Sequence, residues 1–431
     1  METWDISPRG EKRFNEGHPW VFSNEITSPI KKIQPGDLVK LTNSKGRTLA
    51  VGYGNPHSLI AFRCLQRSES ATIDSAWFAA QLIKAARVRD QLQLTKYSHR
   101  LVFSEADQLP GLVIDCFKTP HSQQIFVIEI LTAGMDRWLE NLPQIFEMFL
   151  KSCTEHSFNY YAWAKTTLVV KRDNSFRKME NIEVREAEVF GELTVEQLKS
   201  ISIITAQSLH PRDYVIFHTD LFEGQKTGFF LDQRSNVELL LKNLPKISSS
   251  PIRVLDLFCY VGQWSTQIAK HLKDQGSTVE VTSVDSSQKA LDFCAKNVAP
   301  YADRVTPLKM DIVEKCLELI PPQTYDIVVC DPPALIKAKK DFEAGKFAYT
   351  KVNSAAMRAL KPGGMMISCS CSQHLSDVDL TEVLTASALK SHKKMLWLAK
   401  GQQAADHPML MEFPQGTYLN SWLGLAKADL E

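Results

Sequence analysis

Seven short apolar segments, at residues 253–258, 279–284, 304–309, 326–330, 364–369, 395–399 and 421–426, run through the C-terminal part of the chain. Helical patterns at 264–274, 287–299, 351–360 and 378–391 fill most of the gaps. Apolar runs this short, alternating with amphipathic helices, predict strands covered on both faces. The fold class is therefore α/β: a doubly wound, seven-stranded sheet with a largely parallel centre. Such sheets bind ligands in the crevice outside the carboxyl ends of their strands. The residues that close each apolar run are the ones to read for chemistry.

A chain of 431 residues is too long for one ordinary core. Ahead of the sheet region, residues 1–70 alternate apolar runs with turn signals such as Pro35-Gly36-Asp37 and Asn43-Ser44-Lys45-Gly46, which predicts a small β-barrel. A helix from Ala76 to Leu94, strands at 100–103, 111–117, 124–132 and 165–171, and a helix near 135–151 predict a central α+β domain over 71–195. The third domain is then 196–431. Ser248-Ser249-Ser250-Pro251 marks a loop before its first main strand.

Residues 1–67 hold ten Lys/Arg against six Asp/Glu, a net of +4, which leaves −3 for the rest of a chain whose formal charge is +1. A basic module on a faintly acidic body suits docking to nucleic acid, with Lys31, Lys32, Lys40, Lys45 and Arg47 as phosphate contacts. Several of these are equally well solvated turn residues, and Trp20 reads as core. The nine cysteines include no CxxC pair and no histidine partner spacing, so no metal site is expected. No apolar leader follows Met1, and no stretch reaches bilayer length, so a cytoplasmic protein with reduced thiols and no membrane partner is expected. Oligomeric state is not written in the sequence, and a homodimer stays open.

Arg253-Val254-Leu255-Asp256-Leu257-Phe258-Cys259-Tyr260-Val261-Gly262 reads as a strand running into a turn before a helix. A dinucleotide site would need three spaced glycines to admit a pyrophosphate. One glycine and a preceding acid better suit a cofactor with no phosphate and a cationic amino-acid tail, S-adenosylmethionine. Asp285 closes the second strand, where it could accept both ribose hydroxyls, and Asp311 follows the third, where it could meet an adenine amine. Helix capping is the plain alternative for each. At the far side of the crevice, Asp331-Pro332-Pro333 and Ser370-Cys371-Ser372 follow neighbouring strands. A thiol and a carboxylate meeting there suit covalent attack on an electron-poor ring. Parity does not separate Cys369 from Cys371, since both face one side of a continuing strand. Cys294, Cys316 and Cys330 read as small buried apolar groups.

From these motifs residues 221–431 resemble the class I S-adenosylmethionine-dependent methyltransferases. The whole chain resembles the RlmI-type family of large-subunit ribosomal RNA methyltransferases, which make 5-methylcytosine. His18-Pro19-Trp20-Val21-Phe22-Ser23 is similar to that family's N-terminal PUA RNA-binding domain, and Arg100-Leu101-Val102 through Leu112 to its middle domain. Gly224-Gln225-Lys226-Thr227-Gly228-Phe229-Phe230-Leu231-Asp232-Gln233-Arg234 is the most distinctive run, and Asp406-His407-Pro408 resembles a late signature. The resemblance implies that Asp256, Tyr260 and Gly262 line the methionine end of the cofactor, Asp285 holds ribose and Asp311 meets adenine. Lys226, Thr227, Phe229 and Gln233 would close the other side. It also implies attack on carbon 6 of cytosine by Cys371, the position that the Ser-Cys-Ser context and the distance from Gly363-Gly364 favour over Cys369. Asp331 would hydrogen-bond the N3 edge of the ring, on ribosomal RNA of the large subunit. The small Ala334 after Asp331-Pro332-Pro333 disfavours adenine and amine methylation, which want an aromatic residue there. Two other functions remain open at this point: methylation of another RNA base atom, such as a guanine ring nitrogen, without a covalent step, and a non-catalytic RNA-binding or assembly role.

Overall fold

The N-terminal sheet is built where the turn residues place it. A computed structural model describes residues 1–30, 32–68, 72–155, 165–207, 209 and 213–427; Lys31 lies outside them. The chain forms two units, one of residues 1–204, 220–229 and 406–416, the other of residues 205–219, 230–405 and 417–431.

In the first unit, five strands lie in the order Glu2–Asp5, Leu38–Thr42, Thr48–Gly54, Phe62–Gln66 and Trp20–Val21. Asn43 makes one of the tight turns by accepting from the amides of Lys45 (3.1 Å) and Arg47 (3.0 Å). Trp4, Phe14, Val39, Leu41 and Phe62 fill the core beneath. A second sheet runs Arg185–Phe190, Thr166–Arg172, Gln124–Ile130 and Leu112–Lys118, with His99–Phe103 also paired to the last. The helices Ser75–Gln91 and Leu142–Glu155 contribute Phe78, Leu82, Phe146 and Phe149 to the core that includes Ile114, Phe126 and Ile128. The expected single helix near 135–151 is two, Ala133–Trp138 and Leu142–Glu155.

Buried polar groups join these two sheets. The Tyr53 hydroxyl donates to the Pro110 carbonyl at 2.7 Å, and Arg63 lies between Glu180 (2.9 Å) and Glu105 (3.5 Å). Asp406 is also buried here. Its carboxylate accepts from the Arg100 amide at 2.9 Å and pairs with His407. Burial works to raise its pKa, but His407 and that amide hold it below the usual carboxylate range.

The second unit carries the doubly wound sheet. Its strands are β1 (Ile252–Leu257), β2 (Val279–Asp285), β3 (Arg304–Lys309), β4 (Tyr325–Cys330), β5 (Leu360–Ser370), β6 (Met395–Gln402) and β7 (Asn420–Ala426). Their order is β3-β2-β1-β4-β5-β7-β6, parallel from β3 to β5, with β7 antiparallel to both neighbours. The helices are α1 (Arg234–Lys242), α2 (Gln263–Asp274), α3 (Gln288–Val298), α4 (Ile312–Leu319), α5 (Phe342–Ala359) and α6 (Asp377–Lys390). Two cores flank the sheet: one face packs on α5 and α6, the other on α1, α2 and α3.

Two expectations change. The helix expected at 351–360 begins nine residues earlier, at Phe342, and includes Gly345. A Cβ there would stand 2.3 Å from Ile336 Cγ1, so this glycine admits the segment that follows β4 and does not break the helix. The strand expected at 364–369 begins four residues earlier, so Leu360-Lys361-Pro362-Gly363-Gly364 lies inside β5, with a register shift between Tyr325 and Ile327. Helices α1 and α4 had no sequence expectation. Among the described residues no helix is long and apolar enough to cross a membrane. Nor does any cluster of three or more His, Cys, Asp or Glu among them suit a metal ion.

Candidate active site at the sheet's carboxyl edge

The strand order reverses between β1 and β4, which makes a crevice at their carboxyl ends. Asp256 lies at the end of β1, Asp285 closes β2, Asp331 follows β4 and Cys371 follows β5. The register aligns Cys330 with Ser368, so the ends of β4 and β5 emerge side by side.

The turn after β1 is strained. Phe258, Tyr260 and Gly262 all have left-handed backbones, with φ of 64°, 47° and 81°, and each non-glycine there costs about 1–3 kcal/mol. The strain is held by the Cys259 amide donating to Val284 O (3.0 Å) and the Tyr260 amide donating to Asp285 Oδ2 (3.0 Å). Gly262 stands at the N-terminus of α2, where a Cβ would meet Cys294 Sγ at 2.6 Å. Both the backbone angle and the space require glycine. Gly262→Ala is therefore expected to cost about 1–3 kcal/mol of stability, read as a lowered melting temperature.

Asp256 is fully buried. Its Oδ2 accepts from the Ser265 amide (3.2 Å) and hydroxyl (2.7 Å), while Oδ1 has no hydrogen-bond partner. Burial raises its pKa to about 7 against the pull of Ser265, and Asp331 adds to the rise. A buried carboxylate oxygen without a partner is costly unless a donor or cation completes it. Asp285 spends Oδ1 on the Ser287 amide (2.9 Å) and Oδ2 on that of Tyr260, while Ser287, not Asp285, caps α3. Asp311 does cap, accepting from the Glu314 amide at 3.1 Å at the start of α4. The Tyr260 ring meets Phe230 edge-on, with centroids 5.2 Å apart.

Asp331 is gripped from two sides. Gln233 Nε2 donates to both carboxylate oxygens, at 2.9 and 2.8 Å, and Trp264 Nε1 donates to Oδ2 at 3.0 Å. The reading of Gln233 as a wall of the cofactor pocket thus meets a different fact: its amide is spent on the acid.

The two rival thiols are separated by depth. Cys369 is 0% exposed, lies 4.0 Å from Gln233 Oε1, and burial pushes its thiol well above the ordinary range. Cys371 follows the end of β5 and is half-buried, with Sγ 3.9 Å from the Pro332 carbonyl. The serines around it are structural. Ser370 donates to the Tyr349 hydroxyl at 3.0 Å, Tyr349 and Ser372 hydroxyls lie 2.9 Å apart, and Ser372 accepts from the Ile336 amide at 3.2 Å. This ties the Cys371 turn to the loop after Asp331-Pro332-Pro333. Burial and the neighbouring Cys371 push Tyr349 to about 12, so its hydroxyl stays protonated. Cys330 is sealed in the opposite core, and Cys294 and Cys316 are fully buried.

Lys226, Thr227 and Phe229 belong to the first unit. Thr227 is buried and donates to Asp115 Oδ2 at 2.5 Å, an acid that Arg100 also grips through two bonds of 2.7 Å. The buried Lys171 donates to the carbonyls of Gly224 (3.1 Å) and Lys226 (2.7 Å), and Phe229 is buried. Trp264, Asn236 and Tyr349 are site residues that sequence reasoning missed. A tryptophan at a helix start and a serine on each side of Cys371 were the signals; Asn236, a polar residue on an apolar helix face, was another.

Residues 5–67 match the PUA-like domain family, and residues 248–414 match a methyltransferase domain family. The ribosomal RNA large subunit methyltransferase I of Erwinia tasmaniensis is 28% identical over 418 residues, 96% of each chain. A ribosomal RNA large subunit methyltransferase of Deinococcus radiodurans is 28% identical over 430 residues, 96% of this chain and 95% of that one. A putative S-adenosylmethionine-dependent methyltransferase from Streptococcus mutans has a similar structure, with a TM-score of 0.70 at 16% identity over 99% of this chain and 100% of that one. A putative methyltransferase solved with S-adenosylhomocysteine gives 0.71 at 16% identity, with the same coverage. At that identity the likeness is one of fold. The chain thus joins a PUA-like domain to a methyltransferase domain of mixed α/β architecture.

Proposed function

We propose that this protein methylates carbon 5 of a cytosine in large-subunit ribosomal RNA through a covalent adduct with Cys371. The observation that carries the reading is the half-exposed Cys371 beside the Asp331 loop, with the rival Cys369 sealed. S-adenosylmethionine is the cofactor and supplies an electrophilic methyl group. The residues fit it. The orphan oxygen of Asp256 suits its ammonium, the bare Gly262 and the Tyr260 turn suit close approach, and Asp285 at the end of β2 suits ribose, while Asp311 spends Oδ1 on capping α4 and has only Oδ2 to offer adenine.

Carbon 5 of cytosine is too weak a nucleophile on its own. The Cys371 thiolate adds its electron pair to carbon 6, and the ring electrons move to N3, which takes up a proton that it returns when the ring re-aromatises; Asp331 accepts from the N–H groups of that edge. Carbon 5 then takes the methyl group, its proton leaves, and the carbon–sulfur electrons return to the thiolate as the aromatic ring reforms. The target must be single-stranded or turned out of its helix to reach the crevice. Phosphate contacts by exposed Lys32, Lys45 and Arg47 and half-buried Lys40 of the PUA-like domain would hold the RNA. Nine cysteines, none of them in a disulfide among the described residues, suit the reducing cytoplasm.

The test is nucleoside mass spectrometry of unmodified large-subunit RNA incubated with the protein and S-adenosylmethionine. 5-Methylcytidine is expected; a methylated guanosine in its place would refute the assignment. Asp256 adds a pH signature. A cation binds the ionised carboxylate, and Asp256 ionises only as pH rises through about 7. Affinity for S-adenosylhomocysteine should therefore rise ~10-fold from pH 6 to pH 8 and then level off, and Asp256→Asn should flatten that profile. Titration calorimetry measures both.

A further inference from the structure

We infer that Gln233 is the positioning residue of Asp331 and that, with Trp264, it fixes that carboxylate as a hydrogen-bond acceptor facing the target base. The inference rests on the reading of Asp331 as the acid that meets the ring. Gln233 lies in the single turn Leu231–Gln233 that leads into α1, and it is 4% exposed.

The orientation of its amide is determined by a buried relay. Gln233 Oε1 accepts from Asn236 Nδ2 at 2.7 Å, and Asn236 Oδ1 accepts from the Ser421 hydroxyl at 2.9 Å. Asn236 and Ser421 are both fully buried. Turning the Gln233 amide over would set its oxygen against the carboxylate and its NH2 against that of Asn236. Gly401 makes room for the relay: a Cβ there would lie 2.2 Å from Asn236 Oδ1 and 2.3 Å from Ser421 Oγ. Ser421 on β7 thus completes, and Gly401 on β6 makes room for, the relay behind a nitrogen that reaches the end of β4.

Two of the groups that face Asp331 are donors without acceptor capacity, an amide NH2 and an indole N–H. A carboxylate meets both; a carboxylic acid would point a proton toward one of them. Asp331 therefore meets a base only as an acceptor, and it favours a ring edge that presents an N–H. Cytosine offers the N–H of its exocyclic amine there, joined by an N3–H once N3 takes up a proton, and uracil offers its own N3–H.

Two substitutions test this, each read for cofactor binding and for chemistry. Gln233→Leu removes the donor. Gln233→Glu keeps the size but sets a second carboxylate against Asp331, and the two must share a proton. Both variants should bind S-adenosylhomocysteine within about threefold of the parent by calorimetry, with kcat on large-subunit RNA lowered about 100-fold. In Gln233→Glu the acid limb of the activity profile should also move up by at least one pH unit, a shift that a merely structural role would not produce. A tenfold loss of S-adenosylhomocysteine affinity in Gln233→Leu would make Gln233 a cofactor ligand and overturn the inference. So would an unmoved pH limb in Gln233→Glu. If the parent enzyme methylates a base other than cytosine, the reading of the site fails separately, and the pH shift still decides the role of Gln233.

Discussion

Cys371→Ala should abolish methyl transfer, lowering kcat by on the order of 10⁴-fold or more, while S-adenosylhomocysteine binding stays intact. The expectation follows from the chemistry. Without sulfur on carbon 6, carbon 5 stays part of an aromatic ring and lacks the electron density to take a methyl group. It also follows from the position of the thiol. Cys371 lies beyond the last residue of β5, anchored by the Ser370–Tyr349–Ser372 hydroxyl cluster. Cys369→Ala is the control. That side chain is sealed in the core, so its loss should cost stability by about 1 kcal/mol and leave turnover close to that of the parent. Filter assays with labelled methyl donor on both variants separate the two thiols directly. Equal activity in Cys371→Ala would leave the covalent route without its nucleophile.

Asp331→Asn should lower kcat by about 10²–10⁴-fold, with a smaller effect on cofactor affinity. The substitution keeps shape but replaces one acceptor oxygen by an NH2. Gln233 Nε2 and Trp264 Nε1 both need acceptors at that position. One of them, or the base, then faces a donor, and leaving such a group unpaired in a buried site costs about 1–3 kcal/mol. The variant should therefore melt earlier as well as turn over slowly. Steady-state kinetics on large-subunit RNA, together with a thermal melt, read both effects. Unchanged kcat would remove Asp331 from the chemistry.

How much of this was legible beforehand depends on the range of the interaction. The seven strands of the doubly wound sheet stand out in the sequence because each is a short apolar run; six observed strands coincide with or extend those runs, and the first is shifted by one residue, Ile252–Leu257 against 253–258. Helix α4 went unread because its eight residues follow β3 after only two others and show no long periodicity. Gly345 hid the first half of α5, since a glycine in a helix argues against it unless a neighbour needs the space. At the site, Asp256, Asp285, Asp331 and Cys371 could be named because each lies at the end of a strand or just after it. Their partners could not. Gln233 meets Asp331 across 98 residues of sequence, and Ser421 meets Asn236 across 185. No local pattern encodes such contacts. The same holds for Thr227, whose hydroxyl goes to Asp115 in the central sheet. Capping was the even alternative for Asp285 and Asp311, and the structure divides them: Asp311 caps its helix, and Asp285 braces the strained turn at Tyr260.

The most direct test of a sulfur–carbon bond is to stop the reaction after methyl transfer. In RNA carrying 5-fluorocytidine, fluorine replaces the proton that must leave carbon 5, so the thiolate cannot be expelled. Incubated with that RNA and S-adenosylmethionine, the protein should run on a denaturing gel as a slower, RNA-linked band. The band should be absent in Cys371→Ala and present in Cys369→Ala. A band that persists in Cys371→Ala, or normal release of methylated product with no band from the parent enzyme, would contradict the account.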